Sequence, residues 1–281
     1  MKILVTGANG QLGYDLCNEL NKRGHECVGC DKEEFDITDS FQTKEYIASI
    51  NPEAIIHCAA YTAVDKAEED EELCRRVNAE GTRNIAEACK EIGAKMMYIS
   101  TDYVFDGSGN EPWETDAVQA PINVYGQTKA EGEQAVQAAL DRYFIVRISW
   151  VFGINGANFV KTMLRLGRER KSLNVVNDQI GSPTYTKDLS VLLADMIVTD
   201  KYGVYHASNE GYCSWYEFAH EIFRVSNIEL ELTAVSSDQF PTKAKRPFNS
   251  RMSKRKLDEN GFNRLPEWKD ALKRFLEESE K

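Results

Sequence analysis

The sequence predicts an α/β fold: a doubly wound parallel sheet with a smaller mixed α/β C-terminal lobe. Three observations predict it. Short, continuously apolar runs alternate with helix-length amphipathic runs through the first half of the chain, the pattern of parallel strands buried on both faces by crossover helices. A glycine-rich turn, Gly7-Ala-Asn-Gly10-Gln-Leu-Gly13, stands between the first apolar run and the first helical one. Beyond about residue 150 the rhythm loosens into short strands and separated helices.

Each element has its own signal. Lys2–Thr6 is the first strand, and residues 11–23 carry Leu12, Leu16 and Leu20 on one helical face. Residues 25–31 form a second strand ending in Asp31, and Asp39 or Ser40 caps a helix reaching about residue 50. Ala54–His57 is a third strand, residues 72–92 a longer helix, and Lys95–Ser100 a fourth strand. A helix begins near Tyr125, and Tyr143–Ile148 is a fifth strand. Further on, helices are expected at 157–170, 186–198, 214–225 and 266–279, with short strands at 173–176 and 203–207. The expected organisation is a Rossmann-type dinucleotide-binding domain over 1–150 and a mainly substrate-binding lobe over 151–281. The boundary is soft, because some later segments can return to the first sheet.

Composition excludes several function classes. The 281 residues carry 34 Lys+Arg against 45 Asp+Glu, a formal net charge of −11. Such a chain is a poor partner for nucleic acid or an anionic membrane. Any anionic ligand must be met by local positive charge. No apolar run approaches the roughly 18 residues of a spanning helix. The apolar stretch at the start is too short for a signal segment, so a cytoplasmic protein is expected. Seven scattered cysteines fit reduced thiols. Cys27 and Cys30 form a CxxC, but three positions apart on a strand they point to opposite faces. The four histidines show no metal-ligand spacing, and no metal is expected.

The glycine turn carries the first chemistry. Gly7 permits the tight turn, Gly10 lets a pyrophosphate approach the backbone, and Gly13 lets the helix pack close to the sheet. Free N–H groups at the helix start then face phosphates. Asp31, 18 residues beyond Gly13, stands where an acid takes the ribose hydroxyls. A carboxylate there favours NADH, while the adjacent Lys32 leaves NADPH admissible; a solvated turn aspartate is the plainer reading. Tyr125 and Lys129 sit at i and i+4, one helical face. The ammonium can lower the phenol's pKa, and the phenol can give a proton to a ketone oxygen while hydride arrives at the carbon. At the end of the fourth strand, the hydroxyl of Ser100 or Thr101 can hold the reacting carbonyl.

Several of these segments together resemble the extended short-chain dehydrogenases/reductases that act on nucleotide sugars. They are TGANGQLG at 6–13, AAYTAVDKAE at 59–68, STDYVFDG at 100–107 and YGQTK at 125–129. Arg147-Ile-Ser-Trp150-Val-Phe-Gly153, Gly181-Ser-Pro-Thr184 and Arg246-Pro-Phe-Asn249-Ser250-Arg251 extend the match over nearly the whole chain. Among these enzymes the chain is most similar to the dTDP-4-dehydrorhamnose reductase family. The resemblance implies Tyr125 as proton donor, Lys129 as its partner, Thr101 as the hydroxyl orienting the sugar ketone, and Asp102 as a sugar contact. It implies Gly10, Gln11 and Leu12 as the pyrophosphate loop, and Asp36 and Ile37 near the adenine. Ala59, Ala60, Tyr61 and Thr62 line the cofactor. Trp150 meets the sugar and Arg246 the diphosphate. Asn78 resembles the family asparagine near the catalytic lysine, with a structural helix-to-loop hydrogen bond as the alternative. The implied substrate is a nucleotide-diphosphate sugar, most closely dTDP-4-dehydro-L-rhamnose.

The same resemblance discriminates among relatives. Sugar dehydratases carry an Asp-Glu pair where this chain has Asp102-Tyr103, so dehydration is not expected. Two other readings remain: a nucleotide-sugar epimerase with tightly bound NAD, and a non-catalytic regulatory subunit like that of a methionine adenosyltransferase. Some family members are dimers bridged by magnesium through three carboxylates. Asp15, Lys187 and Glu278 fall at those positions, and an ammonium does not ligate magnesium. Any homodimer is therefore expected not to be of that kind. Between Asp238 and Asp258 there is no acid but seven basic residues, from Lys243 to Lys256. That stretch is the expected local positive charge, with a solvated basic loop as the alternative.

Overall fold

A computed structural model describes residues 1–279, so the last two positions of the 151–281 segment lie outside it. Strands β1 (Lys2–Thr6), β2 (Glu26–Cys30), β3 (Ala54–His57), β4 (Lys95–Thr101) and β5 (Tyr143–Ile148) form one parallel sheet. A sixth parallel strand, Gly203–His206, returns beside β5, giving the order 203–206, β5, β4, β3, β1, β2. The order reverses between β1 and β3. In such sheets, ligands bind at that switch point, outside the carboxyl ends of the strands.

The pleat explains the continuous apolar runs. Ile3 and Val5 face helix α1 (Gln11–Lys22) and the helix Thr186–Ile197, in one core with Leu12, Leu16, Leu20 and Leu193. Leu4 faces the opposite side, among Ile47 of α2 (Ser40–Ile50), Ile85 and Val136. Both faces are buried, so the strand interiors are continuously apolar, as in Ile3–Val5, Ala54–Ile56 and Met96–Ile99. Cys27 packs against the first core and Cys30 lies in the second, the opposed directions expected of that CxxC. Asp39 caps α2, accepting from the N–H groups of Phe41 and Gln42 at 2.9 and 3.1 Å.

The predicted helix over 72–92 is not a uniform α-helix. After the short turn α3 (Val64–Ala67), α4 (Glu71–Arg75) passes through a π-helical turn, Arg76–Gly81, into α5 (Thr82–Ile92). Such turns concentrate at functional sites, and Asn78 lies within this one. Helix α6 runs Val124–Ala139.

A separate core gathers Phe152 and Tyr185, from the short paired strands Val151–Phe152 and Thr184–Tyr185, with Val160, Phe218 and Phe275 of the helices Phe159–Glu169, Trp215–Val225 and Trp268–Ser279. The strand Ser172–Val176 pairs in parallel with Glu231–Val235, which the sequence pattern did not signal. Among the described residues, no helix is long and apolar enough to cross a membrane.

Candidate active site

The glycine turn lies at the switch point. Gly7 adopts φ +67, and a Cβ there would sit 2.7 Å from the Ala59 nitrogen, because the loops after β1 and β3 abut. A Cβ on Gly13 would fall 2.1 Å from the Gly7 carbonyl oxygen. Only glycine allows α1 to start this close to the strand. Gly10 is the N-cap and supplies no side-chain acceptor, so the first N–H groups of α1 are left for a ligand. This cradle fits a dinucleotide pyrophosphate.

The residues expected near the adenosine are held by local hydrogen bonds. Asp31 accepts from the Asn9 N–H at 3.2 Å and the Lys32 N–H at 2.9 Å, while its own N–H donates to Glu34 at 2.7 Å. The Asp31 and Glu34 carboxylates thus stand together just beyond the carboxyl end of β2. Asp36 is exposed and caps the Thr38 N–H at 2.9 Å, and the Ile37 carbonyl accepts from Asn84 at 2.9 Å. Across the crevice, Ala59, Ala60 and Tyr61 are partly exposed and Thr62 is exposed. Asn78 pins this loop: its side chain accepts from the Tyr61 N–H at 2.8 Å and donates to Thr128 of α6 at 3.1 Å. Its contacts are those of the structural alternative.

Strand alternation decides between the two hydroxyls. Ser100 points inward and donates to Glu133 at 2.5 Å. Thr101 emerges at the carboxyl end of β4, donates to Asp102 at 3.0 Å and lies within hydrogen-bonding reach of the Tyr125 phenol. Burial pushes that phenol's pKa up, with Thr101 working in the opposite direction. Lys129 departs from its expected partner. Its ammonium donates to the Ile99 carbonyl at 2.7 Å and lies 4.0 Å from the centroid of the Tyr98 ring. Among the described hydrogen bonds none joins it to Tyr125. Burial lowers its pKa to about 7. Asp102 is buried, and burial raises its carboxyl to about 6; its Oδ2 has no hydrogen-bond partner, although Ser250 lies near enough to favour the charged form.

Three residues that the sequence reading passed over complete this region. Asn123 caps α6 through the Gly126 N–H at 2.7 Å and also donates to the Lys245 carbonyl at 2.7 Å. An Asn one residue before a helix start is a legible capping signal. Asn155 donates to the Asn9 carbonyl at 2.6 Å, and Asn158 donates to the Gln11 side chain at 3.0 Å. These two tie the second half of the chain onto the glycine turn, a long-range contact with no local signature.

Trp150, expected to meet the sugar, sits at φ +51, a strained conformation for a large side chain, and its indole stacks on Trp215 at 3.7 Å and 15°. Trp215 is half-buried beside it, packed against the core of Phe152 and Phe218. Arg246 donates to both oxygens of Asp65, at 3.0 and 2.6 Å, and approaches Tyr103. The basic stretch is largely answered by acids from distant segments: Lys243 by Glu69, Arg255 by Glu114, Lys254 by Glu210.

Elsewhere, His57 bridges the Thr6 and Thr82 hydroxyls in the core, its pKa pushed down to about 3 by burial. Asp15, Lys187 and Glu278 do come together: Lys187 donates to Glu278 at 3.0 Å, and Asp15 accepts from Thr186 at 2.5 Å.

The whole chain, residues 1–281, matches the family model described as RmlD substrate binding domain. The dTDP-4-dehydrorhamnose reductase of Escherichia coli (strain K12) is 42% identical over 99% of this chain and 98% of that protein. The spore coat polysaccharide biosynthesis protein SpsK of Bacillus subtilis (strain 168) is 39% identical over 99% of this chain and 97% of that one. A crystal structure of dTDP-4-dehydrorhamnose reductase from Bacillus anthracis str. Ames in complex with NADP superposes with a TM-score of 0.96. It is 48% identical, covering 99% of this chain and 100% of that one. The chain belongs to the dTDP-4-dehydrorhamnose reductase family.

Proposed function

We propose that this protein reduces the 4-keto group of a nucleotide-linked deoxysugar, most specifically dTDP-4-dehydro-L-rhamnose to dTDP-L-rhamnose for envelope polysaccharide. The single observation that carries the reading is the approach of Thr101, at the carboxyl end of β4, to the Tyr125 phenol, in a chain of this family. A ketone oxygen placed between these two hydroxyls accepts a hydrogen bond from each, which polarises the carbonyl. NADH or NADPH, when bound, supplies the hydride to the carbonyl carbon. As negative charge develops on the oxygen, Tyr125 gives up its proton to it. Its raised pKa keeps it a loaded donor at neutral pH. The Lys129 ammonium lies deeper, on the Ile99 carbonyl; on this reading it would favour the resulting phenolate and hold a ribose hydroxyl of the cofactor.

Gly7, Gly10, Gln11, Leu12 and Gly13 would hold the pyrophosphate. Asp31, Asp36 and Ile37 would hold the adenosine, and Ala59–Thr62 the nicotinamide side. Trp150 and Asp102 would meet the sugar and Arg246 the diphosphate. We read residues 1–150 mainly as the cofactor domain and 151–281 mainly as the substrate lobe, and place the protein in the cytoplasm. The Lys187–Glu278 ion pair supports a magnesium-independent assembly; a dimer that dissociates in chelator would refute that.

The decisive assay incubates the purified protein with NADH or NADPH and dTDP-4-dehydro-L-rhamnose. Loss of nicotinamide absorbance with stoichiometric dTDP-L-rhamnose supports the reading. No turnover with that sugar, against oxidation with other keto sugars, overturns the substrate assignment. Nicotinamide cofactor retained through purification without net turnover would instead identify an epimerase.

A further inference from the structure

Glu133 lies on α6, four residues beyond Lys129 and eight beyond Tyr125, so the three share a helical face. Its side chain is fully enclosed. Oε1 accepts from the Ser100 hydroxyl at 2.5 Å and Arg147 Nε at 2.9 Å. Oε2 accepts from Arg147 Nη2 at 2.7 Å and Gln119 Nε2 at 2.5 Å. Ser100 immediately precedes Thr101, and Arg147 is its register partner on β5. Arg147 is held in turn by the Thr115 carbonyl at 3.0 Å, by His206 at 3.3 Å and beneath the Phe105 ring. One carboxylate therefore ties the catalytic end of β4, β5 and the 115–119 loop to the helix carrying Tyr125 and Lys129.

A buried ion pair is weak evidence for stability, because desolvation offsets most of the attraction. Its position suggests another role. The groups facing Lys129 are Glu133 on its own helix, Cys74 on α4, His57 at the end of β3, Cys58 just beyond it, and Tyr98 on β4. Burial raises both thiols and the Tyr98 phenol and lowers His57, so these are neutral near pH 7. Glu133 is left as the anion that favours the Lys129 ammonium against its burial.

We propose that Glu133 is a positioning residue for the reduction: it locks β4 to α6 so that Thr101 and Tyr125 converge, and it keeps Lys129 in its ammonium form. The proposal rests on the reductase reading above. Its test includes a readout that does not depend on turnover. Protein carrying ¹³Cε-labelled lysine is titrated by NMR, with the Lys129 resonance assigned through Lys129→Met. Glu133→Gln is compared with wild type and with Glu133→Asp. Because Glu133→Gln leaves Arg147 unpaired, Glu133→Gln/Arg147→Met is carried alongside as the variant without a stranded charge.

In Glu133→Gln and the double variant, the Lys129 midpoint should fall by about one unit, making the ammonium about tenfold scarcer above both midpoints. The alkaline limb of kcat should move down with it, while KM for the cofactor stays near wild type. Glu133→Asp should keep the wild-type midpoint. An unmoved midpoint in the folded variants, or a kcat loss equal at every pH, overturns the proposal. A shifted midpoint in a protein whose wild type reduces no 4-keto sugar would overturn the reductase reading and leave the effect on Lys129 standing.

Discussion

Arg246 closes both terminal nitrogens onto the Asp65 carboxylate, at 3.0 and 2.6 Å, across the cleft beside Tyr103. The guanidinium is thus oriented before any substrate arrives. Arg246→Ala should raise KM for the nucleotide sugar about 30-fold, near 2 kcal/mol for loss of a hydrogen-bonded charge partner. Asp65→Asn should raise it about fivefold through lost orientation, with kcat nearly unchanged in both. Steady-state kinetics with the sugar varied checks the pair.

On the proposed mechanism, Tyr125→Phe removes the proton donor and leaves the glycine turn untouched. We expect kcat to fall about 10²- to 10⁴-fold. NADH binding, followed by nicotinamide fluorescence, should stay close to wild type. Retained turnover would remove Tyr125 from the donor role.

We expect the Asp31–Glu34 corner to set cofactor choice by charge. Asp31→Ser should raise the NADPH-to-NADH ratio of kcat/KM about tenfold, equivalent to 1.4 kcal/mol. Parallel kinetics with the two cofactors at low ionic strength measures it, and an unchanged ratio would put the selectivity elsewhere.

Asp102 gives a pH signature. Burial raises its folded pKa from 3.8 to about 6, so the native state binds more protons than the unfolded one between those values. Its burdening effect is therefore absent below about pH 4 and complete above about pH 6. Asp102→Asn should be more stable than wild type at pH 8, by on the order of 2 kcal/mol, with the difference shrinking toward pH 4.5. Urea unfolding at the two pH values tests the sign.

Asn158 serves twice, capping the helix Phe159–Glu169 through the Lys161 N–H at 3.0 Å and holding Gln11 at 3.0 Å. Asn158→Ala should cost about 1 kcal/mol of stability from the lost cap. It should also weaken NADH binding about fivefold, the equivalent of one neutral hydrogen bond. Thermal melts and cofactor titration separate the two effects.

The sequence by itself determined the sheet, the glycine turn and the shared helical face of Tyr125 and Lys129. Each rests on local physics: apolar runs for strands buried on two faces, glycine where a Cβ collides, and an i,i+4 spacing on one helix. The short parallel pair of Ser172–Val176 with Glu231–Val235 was only half legible, because its second strand is largely exposed and lacks an apolar run. Tertiary structure alone decided between Ser100 and Thr101, since the choice depends on which face of β4 meets α6. It also sent the Lys129 ammonium to the Ile99 carbonyl, and it answered the basic stretch of 243–256 with Asp65, Glu69, Glu114 and Glu210. Those partners lie far away in sequence, and charge pairing across a fold leaves no periodic trace in the chain.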